Sequence, residues 1–160
     1  MANIGHFRAA GKLLDQAGSV DSRFWICPLT RMDAHTLMEE SYYNIYGKVS
    51  ARLKMPECSL CMGNQERVLA GATVLSTSTL NFPDRLGDGT NVYLASAELA
   101  SVGGILGRLP TPTEYLEYAS KIESMSDEIY HYMNFDQIES FQKSAEQVKL
   151  IAAQQIVEIS

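Results

Sequence analysis

Apolar positions in residues 4–17 recur at three- and four-residue spacing, through Ile4, Phe7, Ala10, Leu13, Leu14 and Ala17, and Gly18 follows as a left-handed stop. The spacing predicts an amphipathic helix. Arg23-Phe24-Trp25-Ile26-Cys27 is a short aromatic and β-branched run closed by Pro28, the pattern of a buried strand. Asp33 then stands where it could cap a helix with an apolar stripe through Leu37, Met38, Tyr42, Ile45 and Tyr46, ending at Gly47. From Lys48 to Gln65 no period persists, and Pro56 and Gly63 bracket Cys58 and Cys61, so both cysteines are expected on a loop. Two further short strands are predicted at 72–76 and 91–95. The polar, glycine-containing stretch 76–90 between them is the best candidate for a binding loop.

Ser96 is placed to cap a helix over 97–107, although Gly103-Gly104 inside it costs about 1 kcal/mol per glycine relative to alanine. Close packing against a strand would account for the pair. Thr111-Pro112-Thr113-Glu114 joins a capping box to a proline at the first helical position, a strong helix start. Beyond Ile122 the chain turns polar, with a helical stripe through Ile138, Phe141, Ala145, Val148 and Ile151. Alternating helices and short strands imply an α/β fold, a parallel or mixed sheet with flanking helices. The expected division is an α/β domain over 1–122 and a helical tail over 123–160 that packs on it or extends it.

Composition narrows the choice of partner. With 160 residues and 46% apolar content, the chain suits one domain with a real core. A net charge of -6 argues against DNA or an anionic membrane as the main partner, since both call for a basic face. No run approaches the length of a membrane span, and the start, Met1-Ala2-Asn3-Ile4-Gly5-His6, lacks the basic and then apolar order of a secretory signal. A cytoplasmic protein acting on a small soluble ligand is expected.

Three cysteines, two of them three positions apart, make a disulfide scaffold a poor reading in a reducing compartment. The Cys58/Cys61 spacing by itself leaves several possibilities open. A zinc site would need Cys27 and His6 or His35 to complete it. A thioredoxin-like pair should open a helix after a strand. Two buried free thiols are the plain alternative. The segment Ser76-Thr77-Ser78-Thr79 to Arg85 adds hydroxyls, an amide and a guanidinium suited to an anion.

The wider context is more specific. Met55-Pro56-Glu57-Cys58-Ser59-Leu60-Cys61-Met62-Gly63-Asn64-Gln65, Gly71-Ala72-Thr73-Val74-Leu75-Ser76-Thr77-Ser78-Thr79, Asn81-Phe82-Pro83 and Tyr93-Leu94-Ala95-Ser96-Ala97-Glu98 closely resemble the carboxy-terminal part of the bacterial B-type aconitases. Asn3-Ile4-Gly5-His6-Phe7-Arg8, Thr30-Arg31-Met32-Asp33 and Gly107-Arg108-Leu109-Pro110-Thr111-Pro112 extend the match, which covers residues 3 to roughly 145.

The resemblance implies part of the third aconitase domain. It also implies a [4Fe-4S] hydro-lyase that interconverts citrate and isocitrate through cis-aconitate in the tricarboxylic acid cycle. Cys58 and Cys61 match two of the three cluster ligands, Arg85 a substrate-binding arginine, and Thr79 a polar substrate-facing position. The tricarboxylate and the remaining aconitase domains are the implied partners. In the family the third cysteine stands immediately before the segment matching Met1-Ala2-Asn3-Ile4-Gly5, so the chain alone is expected to be inactive. Leu80 stands where the family has an arginine, and Cys27 matches no ligand and is expected to be a small core residue. A non-catalytic remnant or binding module, and a 2-methylisocitrate dehydratase-type hydro-lyase, are the competing expectations.

Overall fold

The computed structural model describes residues 3–56 and 60–130. Helix α1 (Ile4–Ala17) opens on a reciprocal cap, in which Asn3 Oδ1 accepts from the His6 amide while the Asn3 amide donates to His6 Nδ1 at 3.0 Å. It closes on Gly18 at φ 72°, as the sequence predicts. The helix is the hub of the core. Leu14 packs with Ile26, Leu37, Tyr42, Tyr46 and Val49 on one side, while Ala9 and Leu13 pack with Val102, Ile122 and Ile129 on the other.

β1 (Trp25–Ile26) is followed by α2 (Arg31–Glu39) and α3 (Tyr42–Lys48). The single helix expected from Asp33 to Gly47 is thus two helices. Thr30, not Asp33, is the N-cap, and Asp33 serves as its capping-box partner three residues on. Ser41 takes a left-handed φ of 67° that ends one helix and re-aims the next. The break lays Tyr42 directly on Gly11, where a Cβ would come within 2.3 Å of the tyrosine ring. It also leaves Met38, expected in the stripe, exposed. Tyr46 is fully buried, and its hydroxyl donates to the Phe7 carbonyl at 2.7 Å.

β2 (Arg52–Leu53), which has no periodic signal, pairs parallel with β1, Trp25 opposite Arg52 and Ile26 opposite Leu53. β3 (Thr73–Ser76) pairs parallel with β4 (Asn91–Leu94) from Thr73↔Asn91 to Ser76↔Leu94. The architecture is therefore α/β with short parallel strand pairs and flanking helices. α4 (Ala97–Leu106), capped by Ser96, lies against both pairs. A Cβ on Gly103 would come within 2.3 Å of Leu75 in β3, and one on Gly104 within 2.3 Å of the Phe24 ring beside β1. The two glycines are the places where helix and strands touch.

α5 (Pro112–Glu123) starts at the Thr111–Glu114 capping box, and the short α6 (Ser126–Ile129) sends the fully buried Ile129 into the core. Residues up to Tyr130 cluster as one compact unit. Arg8 ties this end of the chain to the first helices, pairing with Glu40 at 2.6 Å and reaching the Ile129 carbonyl at 3.5 Å. The helical stripe expected from Ile138 to Ile151, with His131, lies outside the described residues. No helix among the described residues is long and apolar enough to cross a membrane.

Candidate functional site

The end of β2 and the start of β3 are joined by the cysteine segment, and β3 is joined to β4 by the loop 77–90. They meet through Arg85, which bonds both Ser76 at the carboxyl end of β3 and the backbone of Cys61, and the carboxyl end of the strands is where open parallel sheets place their ligand crevices. Cys58 lies outside the described residues. Cys61 is partly buried, within a run of turns that Gly63 closes at a left-handed φ of 72°. Gly63 has no room for a side chain, because a Cβ there would sit 1.7 Å from the backbone oxygen of Arg85. The cysteine loop and the 77–90 loop are therefore in backbone contact.

Arg85 is the central side chain of this contact. Only 2% exposed, it donates from Nη1 to the Cys61 carbonyl at 2.7 Å and from Nη2 to Ser76 Oγ at 3.0 Å. Its Nε is buried with no acceptor among the described residues, and none of the ion pairs among them involves it. Burial lowers its pKa, and the neighbouring Cys61 thiol, through its anionic form, opposes that shift. The unmet Nε donor is of the kind that an anionic group completes.

The loop that carries Arg85 is pinned at several points. Asn81 Nδ2 donates to the Val92 carbonyl of β4 at 3.1 Å, and the Val68 amide donates to the Leu86 carbonyl at 2.7 Å. Arg67 holds the Asp84 carbonyl and the Asp88 carboxylate, while Asp84 Oδ1 accepts from the Gly89 amide at 2.6 Å. Thr79, Leu80 and Phe82 remain exposed at the outer bend, with Leu80 43% accessible. The structure thus places Cys61 and Arg85 together and Thr79 on the same loop at its surface.

Cys27 is half-buried rather than enclosed in the core, and its thiol lies 3.2 Å from the Met55 carbonyl and 3.9 Å from Gln65 Oε1, residues that flank the cysteine loop. Lys54 and Glu66 form an ion pair across the base of the same loop. Ser76, which the sequence offers as one of a run of hydroxyls suited to an anion, is instead a direct partner of Arg85. Its position as the last residue of a strand, before a polar loop, is the signal that could have marked it. Among the described residues no group of three or more His, Cys, Asp or Glu gathers as a metal site. The donors fit part of a cluster site: one partly buried thiol beside a buried cation, with the second expected cysteine three residues away in sequence.

A cysteine loop in contact with a buried guanidinium beside the carboxyl end of β3 puts a cation where α/β sheets place their ligands. The model of the aconitase family (aconitate hydratase) matches residues 2–107, and the chain belongs to that family. It is 60% identical to aconitate hydratase B of Pseudomonas aeruginosa over 155 residues, covering 96% of this chain and 18% of that protein. It is 56% identical to aconitate hydratase B of Escherichia coli over 149 residues, 92% of this chain and 17% of that protein. A more distant relative, the 2,3-dimethylmalate dehydratase large subunit of Eubacterium barkeri, is 35% identical over 109 residues, covering 67% of this chain and 26% of that protein. The chain spans less than a fifth of the length of the aconitate hydratases it matches.

Proposed function

We propose that this chain is the carboxy-terminal, cluster- and substrate-loop portion of an aconitate hydratase, which interconverts citrate and isocitrate through cis-aconitate in the tricarboxylic acid cycle. The observation that carries the reading is the buried Arg85 guanidinium, which has no carboxylate partner among the described residues and is hydrogen-bonded to the backbone of Cys61. Cys58 and Cys61 would hold two irons of a [4Fe-4S] cluster. When bound, that cluster supplies an iron with an open position that acts as a Lewis acid.

The chain's own residues then bind and orient. Arg85 takes a substrate carboxylate by charge-assisted hydrogen bonding, and Thr79 offers a hydroxyl from the outer bend. Fixing Arg85 from two sides limits its rotation, so the carboxylate it holds is also fixed relative to the cysteine loop. In this reading the third thiolate comes from just before the segment that matches Met1-Ala2-Asn3-Ile4-Gly5, and the catalytic base from the remaining aconitase domains.

Leu80 favours a second reading. Its exposed apolar side chain sits on the substrate loop where a guanidinium would add a further carboxylate contact, which suits a methylated substrate of the 2-methylisocitrate type. Substrate profiling of the intact enzyme, citrate against 2-methylisocitrate, tests the pair. A higher kcat/KM for citrate and isocitrate supports the first reading; preference for the methylated acid transfers the assignment to the second; neither activity leaves the chain as a binding module and overturns both.

A further inference from the structure

The Ser76 hydroxyl does two things at once. Its oxygen accepts from Arg85 Nη2 at 3.0 Å and from the Ser78 amide at 3.2 Å, so a single atom joins the guanidinium to the first turn of the 77–90 loop. Ser76 is also the last residue of β3, held in register opposite Leu94 of β4. A rigid strand end therefore determines where this oxygen lies. On the other terminal nitrogen, the Cys61 carbonyl at 2.7 Å completes a two-point grip.

The planar guanidinium needs two such points to be fixed, because one hydrogen bond leaves it free to swing about the bond axis. We propose that Ser76 is a positioning residue that sets the orientation of the Arg85 guanidinium for anion binding. The inference rests on the reading of Arg85 as a carboxylate-binding residue. Without the hydroxyl, Nη2 loses its only protein acceptor among the described residues, and Arg85 is left on the Cys61 carbonyl alone. The Ser78 amide loses its acceptor in the same step, which loosens the start of the loop.

The test compares two variants of nearly equal shape, Ser76→Thr, which keeps the hydroxyl, and Ser76→Val, which does not. The full chain is treated with phenylglyoxal, a reagent for guanidinium groups, and modification of Arg85 is followed by peptide mass spectrometry. Amide-exchange protection of α1 and α4 reports the fold. Ser76→Val is expected to raise the Arg85 rate about tenfold, the factor for one hydrogen bond to a charged group, while Ser76→Thr stays near the parent. Equal rates in the two variants overturn the proposal, whether or not both lose core protection. The carboxylate reading is judged separately in the same assay: citrate should slow Arg85 modification in the parent chain. If it does not, while Thr and Val still differ, the hold of Ser76 on Arg85 stands and its purpose in anion binding is withdrawn.

Discussion

Arg85 Nη1 lies 2.7 Å from the carbonyl oxygen of Cys61, so the cysteine loop and the loop between β3 and β4 share one buried cation. The same two loops touch again where Gly63 abuts the Arg85 carbonyl. An ammonium cannot reach the two acceptors, Cys61 O and Ser76 Oγ, with the fixed fork of a guanidinium. Arg85→Lys is therefore expected to cost about 1.5–3 kcal/mol of stability, the range for hydrogen bonds to a charged group. Gly63→Ala should cost at least as much, since a Cβ would sit 1.7 Å from the Arg85 oxygen at a left-handed φ. Urea unfolding midpoints check both, and values within about 0.5 kcal/mol of the parent would mean the loops are not joined this way.

The α4 glycines should respond unequally to alanine. At Gly103 the added methyl meets the end of the flexible Leu75 side chain, which can turn aside, whereas at Gly104 it meets the edge of the Phe24 ring. Overpacking typically costs about 1–3 kcal/mol, against a gain of about 1 kcal/mol in helix propensity. Gly103→Ala is expected to be near neutral and Gly104→Ala clearly destabilising in thermal melts. The reverse order would contradict the packing described.

Glu114 carries an acid-sensitive contribution. Its pKa is lowered to about 2, first by the hydrogen bond from Arg108 and then by the backbone and side chain of Thr111. A carboxylate whose folded pKa lies below its unfolded value of about 4.3 adds stability that is fully present above the unfolded value and is lost as pH falls toward the folded one. Amide-exchange protection at the start of α5 should therefore fall between about pH 5 and pH 2, and Glu114→Gln should flatten that dependence. Protection that is independent of pH in the parent would remove the assigned role of this carboxylate.

Much of this fold follows from short-range signals. The caps at Ser96 and Thr111 and the stop at Gly18 rest on local hydrogen bonding and glycine geometry, and each lies where the pattern puts it. The break at Ser41 does not. It goes with the packing of Tyr42 onto Gly11, a contact between residues 31 positions apart that no helical period encodes. β2 is two residues long and is defined by its partner Trp25–Ile26 rather than by its own sequence. The resemblance brings Cys61 and Arg85 into one site by motif. The shared carbonyl, and Ser76 as a partner of the guanidinium, are tertiary facts that appear only once the strands are paired.

Leu80 is expected to limit turnover of a tricarboxylate in the intact enzyme. It is exposed on the loop that holds Arg85, and an arginine there could add a bidentate contact to a carboxylate. Leu80→Arg should raise kcat/KM for citrate or isocitrate at least about tenfold, and Leu80→Lys by less. Unchanged kinetics would remove this position from the substrate contacts, and a gain confined to citrate with loss of a methylated substrate would mark it as the residue that selects between them.

The most direct measurement of the cluster-binding assignment is Mössbauer spectroscopy of the iron-57-labelled intact enzyme, prepared without oxygen, for the parent, Cys58→Ser, Cys61→Ser and Cys27→Ser. The assignment predicts a [4Fe-4S] spectrum in the parent and in Cys27→Ser, and its loss together with cis-aconitate hydration in Cys58→Ser and in Cys61→Ser. A full cluster signal that survives either of those two substitutions, or a parent enzyme that hydrates cis-aconitate without any cluster, would contradict it.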